Sequence, residues 1–122
     1  MIGLLDAYVV IDVLRGDRAA QSAASRVDIL VGSEVTRFEV LAGLRADEEP
    51  ATEDFMKVVE WIPVDEGIAR RAGSLARSYR PAHSGIDDAD YLVAATAVEF
   101  GIPLLTRNVR HFPMLPGLEP AY

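Results

Sequence analysis

The chain has no cysteine, a single lysine at position 57, and two histidines, His83 and His111. Without cysteine there is no disulfide and no thiolate metal site, and two histidines alone do not make a zinc centre of the ordinary kind. Any metal has to be held mainly by oxygen. Positive charge is scarce as well, with 12 basic residues against 19 acidic ones and a formal net charge of -7. Such a deficit argues against non-specific nucleic-acid binding through a broad basic surface, because phosphate affinity comes largely from lysine and arginine. It leaves room for a local basic site. All of the basic residues except Lys57 are arginine, the side chain suited to bidentate contact with phosphate or carboxylate. A long apolar run is also missing. The opening MIGLLDAYVVIDVLRGD lacks a basic leader and is broken by Asp6 and Asp12, so neither a signal peptide nor a membrane span is expected, and the expected location is cytoplasmic.

What is present is 122 residues, half of them apolar, enough for one compact core, so residues 1–122 read as a single domain. No repeat, low-complexity tract or linker divides them; the one polar-rich stretch, Arg45 to Glu53, reads as a loop or a helix entry. Short apolar runs predict buried strands at Ile2–Leu5, Asp28–Val31, Glu60–Val64 and Ile102–Thr106. Between them, length and period predict helices over Val9–Leu14, Val35–Leu44, Thr52–Val59, Asp65–Tyr79 and Asp87–Phe100. Ser33 and Asp65 suit N-caps, and Gly101 followed by Pro103 stops the last helix. Strands alternating with helices imply an α/β fold, a parallel sheet covered on both faces. Ligands of such sheets gather at the carboxyl ends of the strands, near a topological switch point.

Acidic residues fall at that edge. Asp6 follows the first apolar run, where it can serve a site or simply cap the next helix. Glu39 lies in the helix EVTRFEVLAGL with small neighbours, Val35, Ala42 and Gly43, so a ligand could approach that face; a lone helical glutamate is otherwise a solvated one. GIDDADYLVAATA sets Asp87, Asp88 and Asp90 before a helix that is apolar nearly all round. Capping and the helix dipole account for one or two of these acids but not easily for three. Asp87 and Asp90 share a face and Asp88 is turned away. Asp90, deepest in the apolar run, needs a partner, and a hard divalent cation is one that converging carboxylates can share. Asp90 is therefore assigned to a site, Asp87 to a cap or accessory role, and Asp88 to the outside. Thr106 ends the last strand, placing Arg107 and Asn108 at the edge that holds Asp6; a plain turn is the alternative.

Four segments, LLDAYVVIDVLRG, TRFEVLAGLR, WIPVDEGIARRAGSLARSYR and DADYLVAATAVEFGIPLLTRNVRHF, in this order and spacing, resemble the PIN-domain ribonucleases of the VapC type, the toxins of bacterial VapBC toxin–antitoxin pairs. The resemblance spans nearly the whole chain. It implies a PIN-like three-layer α/β/α sandwich with a central parallel sheet and an acidic site for Mg²⁺ or Mn²⁺. Carried over by position, Asp6, Glu39 and Asp90 match the family's acids. Asn108 stands where relatives often carry a further acid and would contribute through its carbonyl or a water. Tyr8 replaces a small hydroxyl residue two places after the first aspartate. Asp12 matches a helix-surface position and Arg15 a possible substrate contact.

The resemblance further implies a metal-dependent endoribonuclease cutting RNA to a 5′-phosphate and a 3′-hydroxyl, with Asp6, Glu39 and Asp90 as metal ligands. Arg107 and Arg15, with Arg37 and Arg110 beside them, are the basic residues expected at the RNA groove, and His111 is expected to be a loop residue outside the chemistry. Expected partners are RNA, a VapB-type antitoxin inserting a C-terminal segment into the groove, and a second copy of the chain. The competing reading is a PIN scaffold that binds a partner without cleaving. A haloacid-dehalogenase-type phosphatase would need a second aspartate where Tyr8 stands, and a phosphoacceptor receiver would need a central-strand aspartate and a late lysine, which Val31-Gly-Ser33 and Lys57 do not provide.

Overall fold

Consecutive residues of a strand point to opposite faces of its sheet, so two adjacent buried leucines need cover on both sides. Leu4 and Leu5 show this in the computed structural model, which describes residues 1–122. Their strand, β1 (Ile2–Leu5), leads to α1 (Ala7–Leu14), α2 (Arg18–Ser25), β2 (Ile29–Ser33) and α3 (Glu34–Ala42). A 3-10 turn, Ala46–Glu48, opens into α4 (Glu49–Met56), followed by β3 (Glu60–Ile62), α5 (Glu66–Tyr79), α6 (Asp88–Phe100), β4 (Leu104–Leu105) and a 3-10 turn at Val109–His111. Leu4 packs with Val31 and Leu104 against Ile68 and Ala72 of α5 and Val93 and Ala94 of α6. Leu5 packs with Leu105 against Val9 and Val10 of α1, Val40 of α3 and Met56 of α4. The two clusters are the two interfaces of an α/β/α sandwich.

All strand pairs are parallel, in the order β3-β2-β1-β4. The chain leaves β1 towards β2 on one side and returns at β4 on the other, so the crevice beyond the carboxyl ends of β1 and β4 is the switch point where such sheets hold ligands. Leu5 stands beside Leu105 in that pairing. Asp6 and Thr106 are therefore the first residues past the sheet on adjacent strands, and the Asp6 N–H donates to the Leu105 carbonyl at 3.0 Å.

Several boundaries differ from the sequence expectation for identifiable reasons. Helix α2 was not anticipated. Its buried face is Ala20, Ala23 and Ala24, with helical spacing but too little apolar bulk to mark it; Asp17 caps it by accepting from the Ala20 N–H at 2.9 Å. Helix α4 starts at Glu49 rather than Thr52, because Pro50 is compatible with a first helical turn. β4 is shorter than the expected Ile102–Thr106; Pro103 lacks an N–H, although its carbonyl still accepts from Leu4 N at 2.9 Å. Gly32 of β2 lies beneath the Trp61 ring, where an added Cβ would meet the indole at 2.6 Å. Gly101 ends α6 in the left-handed conformation, φ 62°. No helix is long and apolar enough to cross a membrane.

Candidate active site

Asp6 is only 5% exposed, and both of its carboxylate oxygens are held. Oδ1 accepts from the Ala7 N–H at 2.8 Å, capping α1, and Oδ2 accepts from the Thr106 hydroxyl at 2.8 Å. Thus the capping and site readings of Asp6 are compatible. Thr106 Oγ1 also accepts the Asn108 N–H at 3.0 Å, so one hydroxyl ties the turn after β4 to the acid after β1. Burial pushes the Asp6 pKa above the ordinary value; the hydrogen bonds from Thr106 and Ala7 and the charges of His111 and Arg107 act against that rise.

Glu39 comes from the middle of α3 and is half-buried. Its pKa is pushed up to about 7, first by loss of solvent and then by the negative charges of Asp6, Asp90 and Asp87. Asp90, in the first turn of α6, rises to about 6, mainly through burial, with Asp6 and Asp87 adding to the shift. Its Oδ2 accepts the Asp87 N–H at 3.2 Å, fixing the helix entry in the register that begins at Asp87. Asp87 is thus the N-cap residue of α6, and its charge acts on both Glu39 and Asp90. Asp88 turns outward, where it receives Arg80 at 2.7 Å. His111 sits in a 3-10 turn with Nδ1 3.7 Å from Asp90 Oδ2, too long for a hydrogen bond but close enough for its protonated form to stabilise that carboxylate. Sequence alone did not link it to Asp90.

A second set of side chains borders the acids. Arg107 carries its guanidinium 5.5 Å from the Tyr8 ring centroid, with Nε 3.3 Å from Asp12 Oδ2. The same oxygen accepts from the Tyr122 hydroxyl at 2.6 Å. Asp12 is consequently a partly buried junction, with 18% of its side chain exposed, rather than a plain helix-surface residue. Burial and the bond to Asp12 push the Tyr122 pKa up. Of the other arginines proposed for a groove, Arg15 is paired with Glu48, Nε to Oε2 at 2.9 Å, and Arg37 is held by both oxygens of Glu34 at 2.7 Å over the Trp61 ring. Arg110 is exposed. Arg107 is the arginine whose field reaches Asp6.

Three separate segments therefore bring Asp6, Glu39, Asp87 and Asp90 within electrostatic reach of one another, and a fourth, after β4, adds Arg107 and His111. In the side-chain positions observed, no three acidic or histidine groups gather into a closed coordination shell. The donor chemistry nevertheless suits a hard divalent cation: the side-chain donors of Asp6, Glu39, Asp90 and Asn108 are carboxylate and amide oxygens. A cation there would offset the burial and the repulsion that together raise Glu39 and Asp90.

A parallel three-layer α/β/α sandwich with a buried aspartate and partly buried acids at its switch point defines the class of molecule. The chain belongs to the PIN domain family, whose model matches residues 3–116. It is 49% identical to Ribonuclease VapC19 of Mycobacterium tuberculosis over 123 residues, covering 98% of each chain. Ribonuclease VapC10 of the same organism is 38% identical over 122 residues, covering 98% of this chain and 92% of its own. Among solved structures, a toxin–antitoxin complex from Klebsiella pneumoniae contains a similar chain, with a TM-score of 0.86 and 27% identity over 98% of both chains.

Proposed function

We propose that the protein is a metal-dependent endoribonuclease, the toxin of a type II toxin–antitoxin module, with Asp6, Glu39 and Asp90 as metal ligands and Asn108 as a neutral fourth contributor. The observation that carries this reading is the convergence of Asp6, Glu39 and Asp90 beyond the carboxyl end of β1, with Asp6 buried and held by Thr106 and Ala7, where burial and three neighbouring carboxylates push Glu39 up. A helical glutamate that served only solubility would face water, away from a cluster of like charge. The relatives named ribonucleases, 49% and 38% identical, give the reaction class.

A bound Mg²⁺ or Mn²⁺ would supply charge to offset the carboxylates, acidify a water and stabilise the extra negative charge at phosphorus. The protein's own part is positional. Thr106 and the α1 N-terminus hold Asp6 in one orientation, so that this acid need not reorganise when the site is filled. Asp90 is braced by the Asp87 N–H. A metal would need Glu39 deprotonated, so the raised pKa of this residue would make affinity rise with pH through neutrality. In this reading Arg107, which lies against Asp12 at the edge of the acids, takes a backbone phosphate, and Arg15 adds a second contact on leaving Glu48. Hydrolysis adds water at phosphorus and breaks its bond to the 3′ oxygen, leaving a 5′-phosphate and a 3′-hydroxyl.

The expected protein partners are a VapB-type antitoxin, whose C-terminal segment would fill the acidic groove with an arginine in place of the metal charge, and a second copy of this chain. The Klebsiella neighbour, a toxin–antitoxin complex, supports the first. The test is cleavage of total cellular RNA by purified protein freed of antitoxin, with Mn²⁺ or Mg²⁺ and with EDTA, beside Asp90→Asn. Metal-dependent cuts reduced at least about a hundredfold in the variant are expected. A folded wild-type protein that leaves RNA intact would favour the partner-binding scaffold instead.

A further inference from the structure

Tyr8 is 47% exposed although it stands only two residues beyond the buried Asp6. An aromatic ring in that place has no packing explanation, because the apolar face of α1 is made by Ala7, Val9 and Val10. The ring does have one organised neighbour, the Arg107 guanidinium, 5.5 Å from its centroid. Arg107 is itself fixed from behind by Asp12, and Asp12 by the Tyr122 hydroxyl. The Tyr122 end of the chain is in turn laid along the sheet edge, with the Ala121 N–H donating to the Thr106 carbonyl at 2.8 Å. An exposed aromatic surface and an oriented cation thus stand together at the rim of the acids.

That pairing has the chemistry of a single-stranded nucleic-acid subsite. An aromatic face accepts any unpaired base by stacking, while an adjacent arginine takes the phosphate next to it. Double-stranded RNA offers its base faces only at its ends, so such a subsite discriminates by strandedness rather than by hydrogen-bond pattern. We propose that Tyr8 is a stacking platform for an unpaired base of the RNA next to the cleaved phosphate, with Arg107 clamping the flanking phosphate and the Asp12–Tyr122 pair acting as its positioning support. The proposal rests on the ribonuclease reading and adds to that site a base-stacking residue, Tyr8, with its supporting chain of contacts.

The test measures binding with the metal withheld, so that it does not depend on cleavage. Short single-stranded RNAs carrying one 2-aminopurine are titrated with the wild-type protein in EDTA, and the same sequences are repeated as blunt duplexes. The expected result is quenching of the fluorophore in the single strands and about tenfold weaker binding by Tyr8→Leu, within the range for losing one base–aromatic stack. Tyr8→Phe should keep both affinity and quenching, since it keeps the ring. Tyr122→Phe, which keeps the ring and removes the hydroxyl from Asp12, should weaken single-strand binding less than Tyr8→Leu and leave quenching in place. Equal affinity of wild-type and folded Tyr8→Leu for the single strands overturns the proposal and leaves the ring to a protein partner, as does an equal loss on duplexes. Cleavage of total RNA, measured separately, reports on the nuclease reading. Intact cleavage with no effect of Tyr8→Leu on binding sinks the platform alone, whereas absent cleavage with ring-dependent binding sinks the nuclease alone.

Discussion

The acids at the switch point and those on the outer helices have opposite electrostatics. On the outside, Glu34 is held by Arg37, Glu48 by Arg15, Glu66 by Arg70 and Glu99 by Arg71. Arginine pulls the pKa of Glu34 below its ordinary value and that of Glu48 down to about 2. At the switch point the same kind of group is pushed the other way, Glu39 to about 7 and Asp90 to about 6, because burial and neighbouring carboxylates disfavour the charged forms. The chain has arginines enough to neutralise its helix surfaces, yet none is ion-paired with Glu39 or Asp90. A cluster left without a paired arginine despite that supply, with only His111 near Asp90, is an arrangement suited to an external cation, and it should lower the stability of the empty fold at neutral pH.

The largest expected effects come from removing that repulsion. Glu39→Gln should cost at least about a hundredfold in cleavage, since one of the proposed ligands is lost, while making the metal-free protein more stable at neutral pH. The sign follows from linkage. An unfolded glutamate loses its proton near 4.5 and the folded one near 7, so the folded state binds the proton more tightly. Its stability relative to the unfolded chain is greatest below about pH 4.5, falls as pH rises through the interval, and levels off above about pH 7. Allowing for the partial exposure of Glu39, the change is on the order of 1–2 kcal/mol. Thermal melts in EDTA at about pH 5 and about pH 8 should therefore give a larger pH-dependent decrease for wild type than for Glu39→Gln, after each is referred to its own net charge. Equal slopes would mean that neither burial nor the neighbouring acids raise Glu39.

How much of this was legible in the sequence depended on distance along the chain. β1 and the ends of α5 and α6 followed from local signals, an apolar run of strand length, an Asp65 cap and a Gly101 stop. Helix α2 was hidden because alanines at its buried positions carry a helical period with little hydrophobic contrast. Position at strand ends and helix starts pointed to Asp6 and Asp90 as candidates, whereas Glu39 by itself read as a solvated helical acid and joined them through the family resemblance. What could not be read was which side chains meet across the fold. Thr106 lies 100 residues from the Asp6 that it holds, and Tyr122 lies 110 from Asp12. Neither contact leaves a pattern of spacing. Arg15 and Arg37 show the converse limit, since a basic residue near a groove in sequence becomes a glutamate's partner once the helices are packed.

Thr106→Val sharpens the comparison by disturbing one acid without altering any charge. The exchange leaves Asp6 Oδ2 buried without its hydroxyl donor, which should destabilise the fold by about 1–3 kcal/mol. Losing this orienting contact should also weaken Mn²⁺ binding by about 10–100-fold. Calorimetric titration with Mn²⁺ would read the affinity and a denaturant melt the stability. Unchanged affinity with reduced stability would make the Thr106 contact structural only.

At the small end lies the outer pair of Glu66 and Arg70, whose Nε and Oε2 are 2.8 Å apart although the side chains remain 80% and 78% exposed. Water and salt already screen two such groups, and holding both long side chains in one geometry costs entropy that offsets their attraction. Arg70→Gln should consequently leave the melting temperature within experimental error at physiological salt and leave RNA cleavage intact. Short distance alone would rank this contact beside the 2.8 Å bond from Thr106 to Asp6. Burial separates them, because the oxygen of Asp6 has no water to replace its lost donor. A substantial destabilisation by Arg70→Gln, persisting in high salt, would contradict that distinction and show that the outer helices depend on their ion pairs as the switch point depends on its buried hydrogen bonds.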